Sequence, residues 1–442
     1  MIIRHTPGRL ILFVVDCCIL FASLHLALSI RYQHVLTLYE YLIFVPPFIF
    51  IIAVSVAIFY SYGLYDKPTL RLIRELNKRI FTSQILVIVC ATILFYLLPV
   101  LGIAPKTILI LYVIISAVIM SIWRRYAFSL VLHYKKQKSI IIGSGESFRT
   151  LVEELTRNPH IGITLLSVID VDTYNMQKIA GVLATTRPSS IIIDMRDERI
   201  KQHFNAIYTE LFRGAVVLDI VDVFEDVFDM VPLEVINQDW IFRSINVSRR
   251  YDGLKRFIDL IFAAPLFLFS VVCIYPFVFF AIKLEDRGPI FYSQLRVGKF
   301  GKLFPVFKIR SMENLPTNEL NETKKVTRVG SFLRKTRIDE LPQLWNVLRG
   351  DVSLIGPRPE TPSLVKEYTA SVPFYNVRHI VRPGLSGWAQ TQQHEAPKFG
   401  IDIKQTKTKL AYDLHYLEHS SLMTDLSIII RTFKVLVSKS GM

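Results

Sequence analysis

Five apolar runs, four of them crowded into the first third of the chain, restrict this sequence to an architecture whose helices are solvated by lipid. The first four cover residues 10–30, 39–62, 81–102 and 107–123, each near the roughly 20 residues that a helix needs to cross the hydrocarbon core. A cleaved leader would account for the first run alone, and no small-residue cleavage site follows it. The expectation is a membrane α-helical N-terminus of four transmembrane helices within residues 1–137. Lys and Arg set its orientation. Arg4 and Arg9 precede the first helix, and only Arg31 marks the following loop. Lys67, Arg71, Arg74, Lys78 and Arg79 crowd the next connection, Lys106 stands alone in the third, and Arg124, Arg125, Lys135, Lys136 and Lys138 follow the last. That alternation places the N-terminus and everything beyond Trp123 on the cytoplasmic side. Asp16 reads as a lone intramembrane charge, too little for a transport pathway.

Half of the residues are apolar, yet the formal net charge is +15, so greasy and basic parts must be segregated along the chain. A membrane surface and anionic ligands are the expected partners. No zinc-finger, RNP or basic-zipper pattern accompanies the charge, which argues against nucleic acid. Cys17, Cys18, Cys90 and Cys273 all sit in apolar runs, so neither a disulfide framework nor a cysteine metal knot is expected.

From Lys138 the texture changes to short apolar runs at 139–143, 163–170, 190–194 and 215–221, separated by helical stretches. This predicts an α/β middle domain, residues 138–248, with a largely parallel sheet and a Rossmann-like fold. Its first strand runs into Gly143-Ser144-Gly145, with Asp170 or Asp172 at a distance suited to a ribose. Phe148 stands where a third glycine should let helix and strand close up, so the domain reads as a degenerate version used for packing or regulation, with a functional NAD site as the lesser alternative.

The fifth run opens at Lys255-Arg256-Phe257-Ile258-Asp259, lasts to Ile282 and is interrupted by Pro265 and Pro276. Arg287, Arg296, Lys299, Lys302, Lys308 and Arg310 follow at once, and moving them across the membrane is unfavourable. A broken helix at about 255–283 that enters and leaves on the cytoplasmic side is therefore favoured over a span.

Downstream, Leu341, Leu344, Trp345 and Leu348 repeat at helical spacing, with Asp339 as N-cap, Pro342 in the first turn and Gly350 at the far end. A helix dipole and the nearby Arg337 would keep the Asp339-Glu340 carboxylates ionised, as nucleophile or Mg²⁺ ligands. A simple cap accounts for the segment equally well. The chemical reading gains from Ser353-Leu354-Ile355-Gly356-Pro357-Arg358-Pro359-Glu360, where two prolines stiffen Arg358 for phosphate binding.

Taken with Lys255-Arg256 and Asp259, Gly288-Pro289-Ile290-Phe291, Phe307 to Met312, and Arg382-Pro383-Gly384-Leu385-Ser386-Gly387-Trp388-Ala389-Gln390, these motifs resemble the bacterial sugar transferase family over about residues 250–442. These are the polyprenyl-phosphate hexose-1-phosphate transferases, or monotopic phosphoglycosyl transferases. The N-terminal helices and the middle domain resemble the large members that start exopolysaccharide, capsule or O-antigen assembly. The resemblance implies an α-rich C-terminal catalytic domain, residues 249–442, with a re-entrant membrane helix, on the cytoplasmic side of the bacterial inner membrane. It implies transfer of a hexose 1-phosphate from a UDP-sugar to undecaprenyl phosphate with release of UMP. Asp339 would be the nucleophile and Glu340 its helper in metal or proton handling, both beside Mg²⁺. Arg358 would grip a phosphate, Lys308, Arg310 and Arg337 would support it, and Asp425 matches a further charged position. Cys273 fills the position where the family often breaks its re-entrant helix with proline, and Pro276, one turn on, would supply the break. A membrane-tethered NAD-dependent nucleotide-sugar enzyme would need a complete glycine turn and a Tyr-x-x-x-Lys pair, and neither is present. An inactive scaffold would have eroded motifs, whereas these are intact. Which hexose is moved is not legible, and a homodimer through the middle domain is left open.

Overall fold

The computed structural model describes residues 6–33, 38–61, 64, 73–97, 106–132, 137–158, 161–174, 179–245, 249–285, 288–313, 325–392 and 402–437. The chain divides into two compact units, Met1–Val227 and Phe228–Met442.

The first unit begins with four long helices: α1 (Thr6–Tyr32), α2 (Leu38–Ser61), α3 (Ile73–Leu97) and α4 (Lys106–Leu132). Their apolar stripes meet in one core around Leu20, Leu24, Phe48, Phe59 and Tyr112. By length and composition, Leu12–Tyr32 and Thr107–Arg124 are long enough to cross a membrane, while Phe44–Tyr60 and Ile80–Thr92 are shorter apolar segments. Asp16 is not the isolated charge expected from the sequence. Arg124, read as lying past the end of the fourth helix, falls inside α4 because that helix continues to Leu132, and its guanidinium forms a fully buried ion pair with Asp16. It also donates to Leu64 O at 3.0 Å. Arg124 of α4 thereby joins Asp16 of α1 to the chain just past the end of α2. Arg4, Lys67, Arg71, Lys135 and Lys136, which the orientation argument used, lie outside the described residues.

The rest of this unit alternates strand and helix: β1 (Gln137–Gly143), α5 (Gly145–Arg157), β2 (Ile163–Asp170), α6 (Ile179–Thr186), β3 (Ser190–Ile193), α7 (Glu198–Lys201), α8 (Phe204–Phe212), β4 (Val216–Asp219) and α9 (Ile220–Phe228). All four strands are parallel, in the order β2-β1-β3-β4. A parallel strand is covered on both faces, which is why β3 is buried throughout and Ile140, Ile141 and Ile142 are all buried. The glycine turn has the predicted strand-to-helix setting, with Gly145 at φ 89°. Phe148 fills the space beside it, so that a Cβ on Gly143 would lie 2.8 Å from the ring. Of the two candidate ribose ligands, Asp172 pairs with Arg199 at 2.8 Å and Asp170 lies 3.6 Å from Arg149.

The second unit takes in residues from 228 onward: Val231 N–H donates to Ala411 O, and Ile245 packs against the core of Ile355, Trp388 and Leu417. Its elements are α10 (Gln238–Ser244), α11 (Arg249–Phe269), α12 (Tyr275–Glu285), β5 (Phe291–Val297), β6 (Leu303–Ile309), α13 (Arg328–Thr336), α14 (Gln343–Arg349), β7 (Ser353–Ile355), α15 (Pro362–Ser371), β8 (Gly384–Ser386), α16 (Trp388–Gln392), α17 (Ile403–Glu418) and α18 (Leu422–Val437). The fifth apolar run is helical over Tyr251–Glu285. Pro265 lies within α11 without ending it, contrary to the expected interruption. The irregularity comes later, as a π turn at Ser270–Ile274 in which Tyr275 N–H donates to Ser270 O. Pro276 follows it. A proline ring clashes with the carbonyl four residues back, here Val272, and widening the turn relieves that clash.

Candidate active site

The Asp-Glu pair is carried on a turn wedged between two helices. α13 ends because Arg337 takes a left-handed conformation, φ 59°, and Ile338–Glu340 then make a single 3₁₀ turn before α14 begins at Gln343. Ile338 packs against the core of Ile309 and Leu333, and Leu341 against that of Leu344 and Val347, so the pair is pinned from both sides. The sequence made Asp339 the N-cap of the following helix. Pro342 occupies that place instead, and the pair belongs to the turn before it.

Charge is divided unequally between the two carboxylates. Glu340 Oε1 accepts from Lys308 Nζ at 2.9 Å and Arg358 Nη2 at 3.0 Å, and Arg337 lies 3.6 Å from Oε2. Burial alone would raise its pKa, but Arg358 and Lys308 outweigh burial and hold it at about 2. Asp339 is 8% exposed, and its Oδ1 is buried with no hydrogen-bond partner. Burial and the charge of Glu340 push its pKa up against the pull of Lys308, Arg337 and Arg334. The environment expected to keep Asp339 ionised therefore acts mainly on Glu340.

Three backbones deliver the cations. Lys308 comes from β6, which is tied to α14 by the fully buried Asn346: its Oδ1 accepts from Phe307 N–H at 3.2 Å and its Nδ2 donates to Pro305 O at 2.7 Å. Arg358 follows β7, which pairs with β8 backbone to backbone, as Gly356, Gly384 and Gly387 leave no side chain between them. Arg337 is the left-handed residue at the end of α13. Arg310 is not brought to Glu340. Its guanidinium lies over Gly288 and donates to Pro289 O at 2.5 Å and Met312 O at 3.1 Å. Asp425 sits in a buried cluster instead, accepting from Lys255 Nζ at 2.5 Å, Tyr251 Oη at 2.7 Å and Tyr416 Oη at 2.8 Å. Asn346 and Arg334 were missed by sequence reasoning, since a buried asparagine inside an amphipathic helix looks like any polar position.

As an anion site the cluster offers Lys308, Arg337 and Arg358. As a cation site it offers the unpartnered Oδ1 of Asp339 and the Oε2 of Glu340, which neither Lys308 nor Arg358 engages. Pro276 lies in the apolar helix and contributes no group to this cluster.

Residues 250–439 match the family described as bacterial sugar transferase, and residues 60–230 match one described as CoA-binding domain. The UDP-glucose:undecaprenyl-phosphate glucose-1-phosphate transferase of Klebsiella pneumoniae is 30% identical over 333 residues, which are 70% of each chain. This chain belongs to the bacterial sugar transferase family. The UDP-N-acetylgalactosamine-undecaprenyl-phosphate N-acetylgalactosaminephosphotransferase of Aeromonas hydrophila is 34% identical over 266 residues, 59% of this chain and 61% of its own length. The undecaprenyl-phosphate galactose phosphotransferase of Salmonella typhimurium is 27% identical over 350 residues, 69% of each. The bacterial sugar transferase match spans all of the residues that meet at Glu340.

Proposed function

We propose that this chain transfers a sugar 1-phosphate from a UDP-sugar to undecaprenyl phosphate by way of Asp339. The observation that carries this reading is the buried, unpartnered oxygen of Asp339 beside a Glu340 whose charge is held by three cations. Lys308, Arg337 and Arg358 offset the charge of a diphosphate that two bare carboxylates would repel. In the first step an Asp339 oxygen bonds to the phosphorus bearing the sugar, the bond from that phosphorus to the bridging oxygen breaks, and UMP leaves with that oxygen. In the second, an oxygen of undecaprenyl phosphate bonds to the same phosphorus, the aspartyl oxygen departs, and undecaprenyl-diphosphate-sugar is released. Mg²⁺ is the cofactor of this reading, adding positive charge at the diphosphate, with Asp339 and Glu340 to hold it.

The relatives named above are named for transfer to undecaprenyl phosphate, but from different sugars, so the hexose stays open. The setting is the inner membrane: four spanning helices, a degenerate Rossmann-like middle domain, and a catalytic domain held at the cytoplasmic face by a re-entrant helix. The product would begin an exopolysaccharide, capsule or O-antigen chain. The test uses purified protein, Mg²⁺ and a panel of labelled UDP-sugars without lipid. We expect one UDP-sugar to leave its sugar-phosphate on the wild type and to release an equivalent of UMP, while Asp339→Asn, folded and membrane-inserted, does neither. Kinetics that require both substrates bound together, with no adduct in intact-protein mass spectra, would demote Asp339 to a metal ligand.

A further inference from the structure

The two prolines that stiffen the Arg358 loop also strip it of hydrogen-bond donors, since neither Pro357 nor Pro359 has an N–H. The loop is held by its carbonyls instead, four in succession. Pro357 O accepts from Gly384 N–H at 2.9 Å, Arg358 O from Arg378 Nη2 at 2.9 Å, Pro359 O from Arg296 Nη1 at 3.2 Å and Glu360 O from Val297 N–H at 2.9 Å. The bond to the residue whose side chain reaches Glu340 thus comes from Arg378.

Arg378 is 2% exposed. Its charge is balanced by the equally buried Asp413 of α17 at 2.8 Å, and its Nη1 donates to Tyr375 Oη at 2.7 Å. A buried arginine–aspartate pair adds little stability over apolar residues of the same size. What the guanidinium supplies, and an apolar side chain would not, is its bond to the Arg358 carbonyl. We propose that Arg378 is a positioning residue for sugar-phosphate transfer: its charge set against Asp413 and its Nη1 bonded to Tyr375, it fixes the peptide at Arg358 and so sets where the Arg358 guanidinium stands. The proposal rests on the function given above, in which Arg358 meets the diphosphate.

Arg378→Lys keeps a cation opposite Asp413 but lacks the planar fork needed to hold Asp413, Tyr375 and the carbonyl together. In full-length protein in lipid nanodiscs, loss of a charged hydrogen bond should speed hydrogen exchange about tenfold or more at Gly384 and Val297, whose N–H groups donate to the loop at Pro357 O and Glu360 O, while strand β1 is unchanged. UMP release should show kcat lowered about ten- to hundredfold, with KM for undecaprenyl phosphate unaltered. In an Arg358→Ala background the same substitution should cause no further loss, because its effect passes through Arg358. A merely structural role predicts losses that multiply. Unchanged exchange at Gly384 and Val297, or losses that multiply, would overturn the proposal. If wild type releases no UMP from any UDP-sugar, the proposed function falls, while the exchange measurement still decides whether Arg378 holds the loop.

Discussion

His379, next to the buried Arg378, shows how one side chain can report on the packing behind the site. Its Nε2 is buried without a partner, and burial followed by the charge of Arg378 lowers its pKa from 6.5 to about 4, against an opposing pull from Glu360. Because the folded value lies below the unfolded one, the unfolded chain binds a proton between about pH 6.5 and 4 that the folded chain does not. The stability this ring contributes is full above that window and is lost as pH falls through it. We expect the thermal midpoint of the detergent-solubilised protein to drop between pH 6.5 and 4, and His379→Gln to flatten part of that drop. Equal pH slopes for the two proteins would show that the ring is not held neutral. The residues of the site divide along similar physical lines in how legible they were. Asp339, Glu340 and Arg358 were singled out because their motif neighbours, two prolines and an expected helix start, restrict the backbone, although the pair lies in the turn before that helix. Arg378 was not, because its pairing with Asp413 joins positions far apart in sequence, with no local pattern to mark it.

At the scale of elements, β7 and β8 illustrate how backbone contact sets the site. A Cβ on Gly384 would stand 2.0 Å from Gly356 N, and one on Gly387 would stand 2.3 Å from Gly356 O. No flexible side chain is there to yield, so Gly384→Ala must push the strands apart. The expected loss is about 3 kcal/mol of stability, at the upper end of overpacking effects, with the Arg358 loop displaced and UMP release reduced. A variant with wild-type thermal stability and activity would rule out that close approach. The parallel strands of the first unit were legible because their apolar runs are short and evenly interrupted. The pair between α1 and α4 was not, because Arg124 looked like a flanking residue until the helix was seen to run on to Leu132. Removing one partner of such a buried pair strands the other, so Asp16→Leu should cost about 3 kcal/mol. Asp16→Leu with Arg124→Leu should recover most of it. Thermal unfolding in detergent distinguishes the two, and a double variant no better than the single one would count against the pair as the link between these helices.

For the whole molecule, the decisive question is on which side of the membrane the two ends of the fifth apolar helix lie. Tyr251–Glu285 is 35 residues long, about 52 Å at 1.5 Å per residue, against a hydrocarbon core of about 30 Å. Most of its apolar side chains are exposed, Phe262, Phe277, Phe280 and Leu284 among them, which suits lipid contact. Both of its ends pack on the rest of the second unit, as does Phe267 between them, tilted against Trp345. Near the start, Lys255 reaches Asp425, Arg256 donates to Val347 O and Leu348 O, and Asp259 accepts from Ser353 Oγ and Leu354 N–H. Near the end, Val278 and Ile282 pack against Ile309 and Leu333. A helix that crossed the bilayer would place those two sets of contacts on opposite faces, which one body cannot satisfy. On the proposed arrangement the helix would enter and leave on one face, with the basic residues after Glu285 staying on the side of entry. We expect a tag at Gln137 and a tag at the C-terminus to be reached by impermeant reagent only after the inner membrane is opened. In a variant whose one remaining cysteine is Cys273, the thiol of the π turn should resist the same reagent from either side. A C-terminal tag labelled in intact spheroplasts would mean that the helix spans, and the re-entrant arrangement would have to be given up.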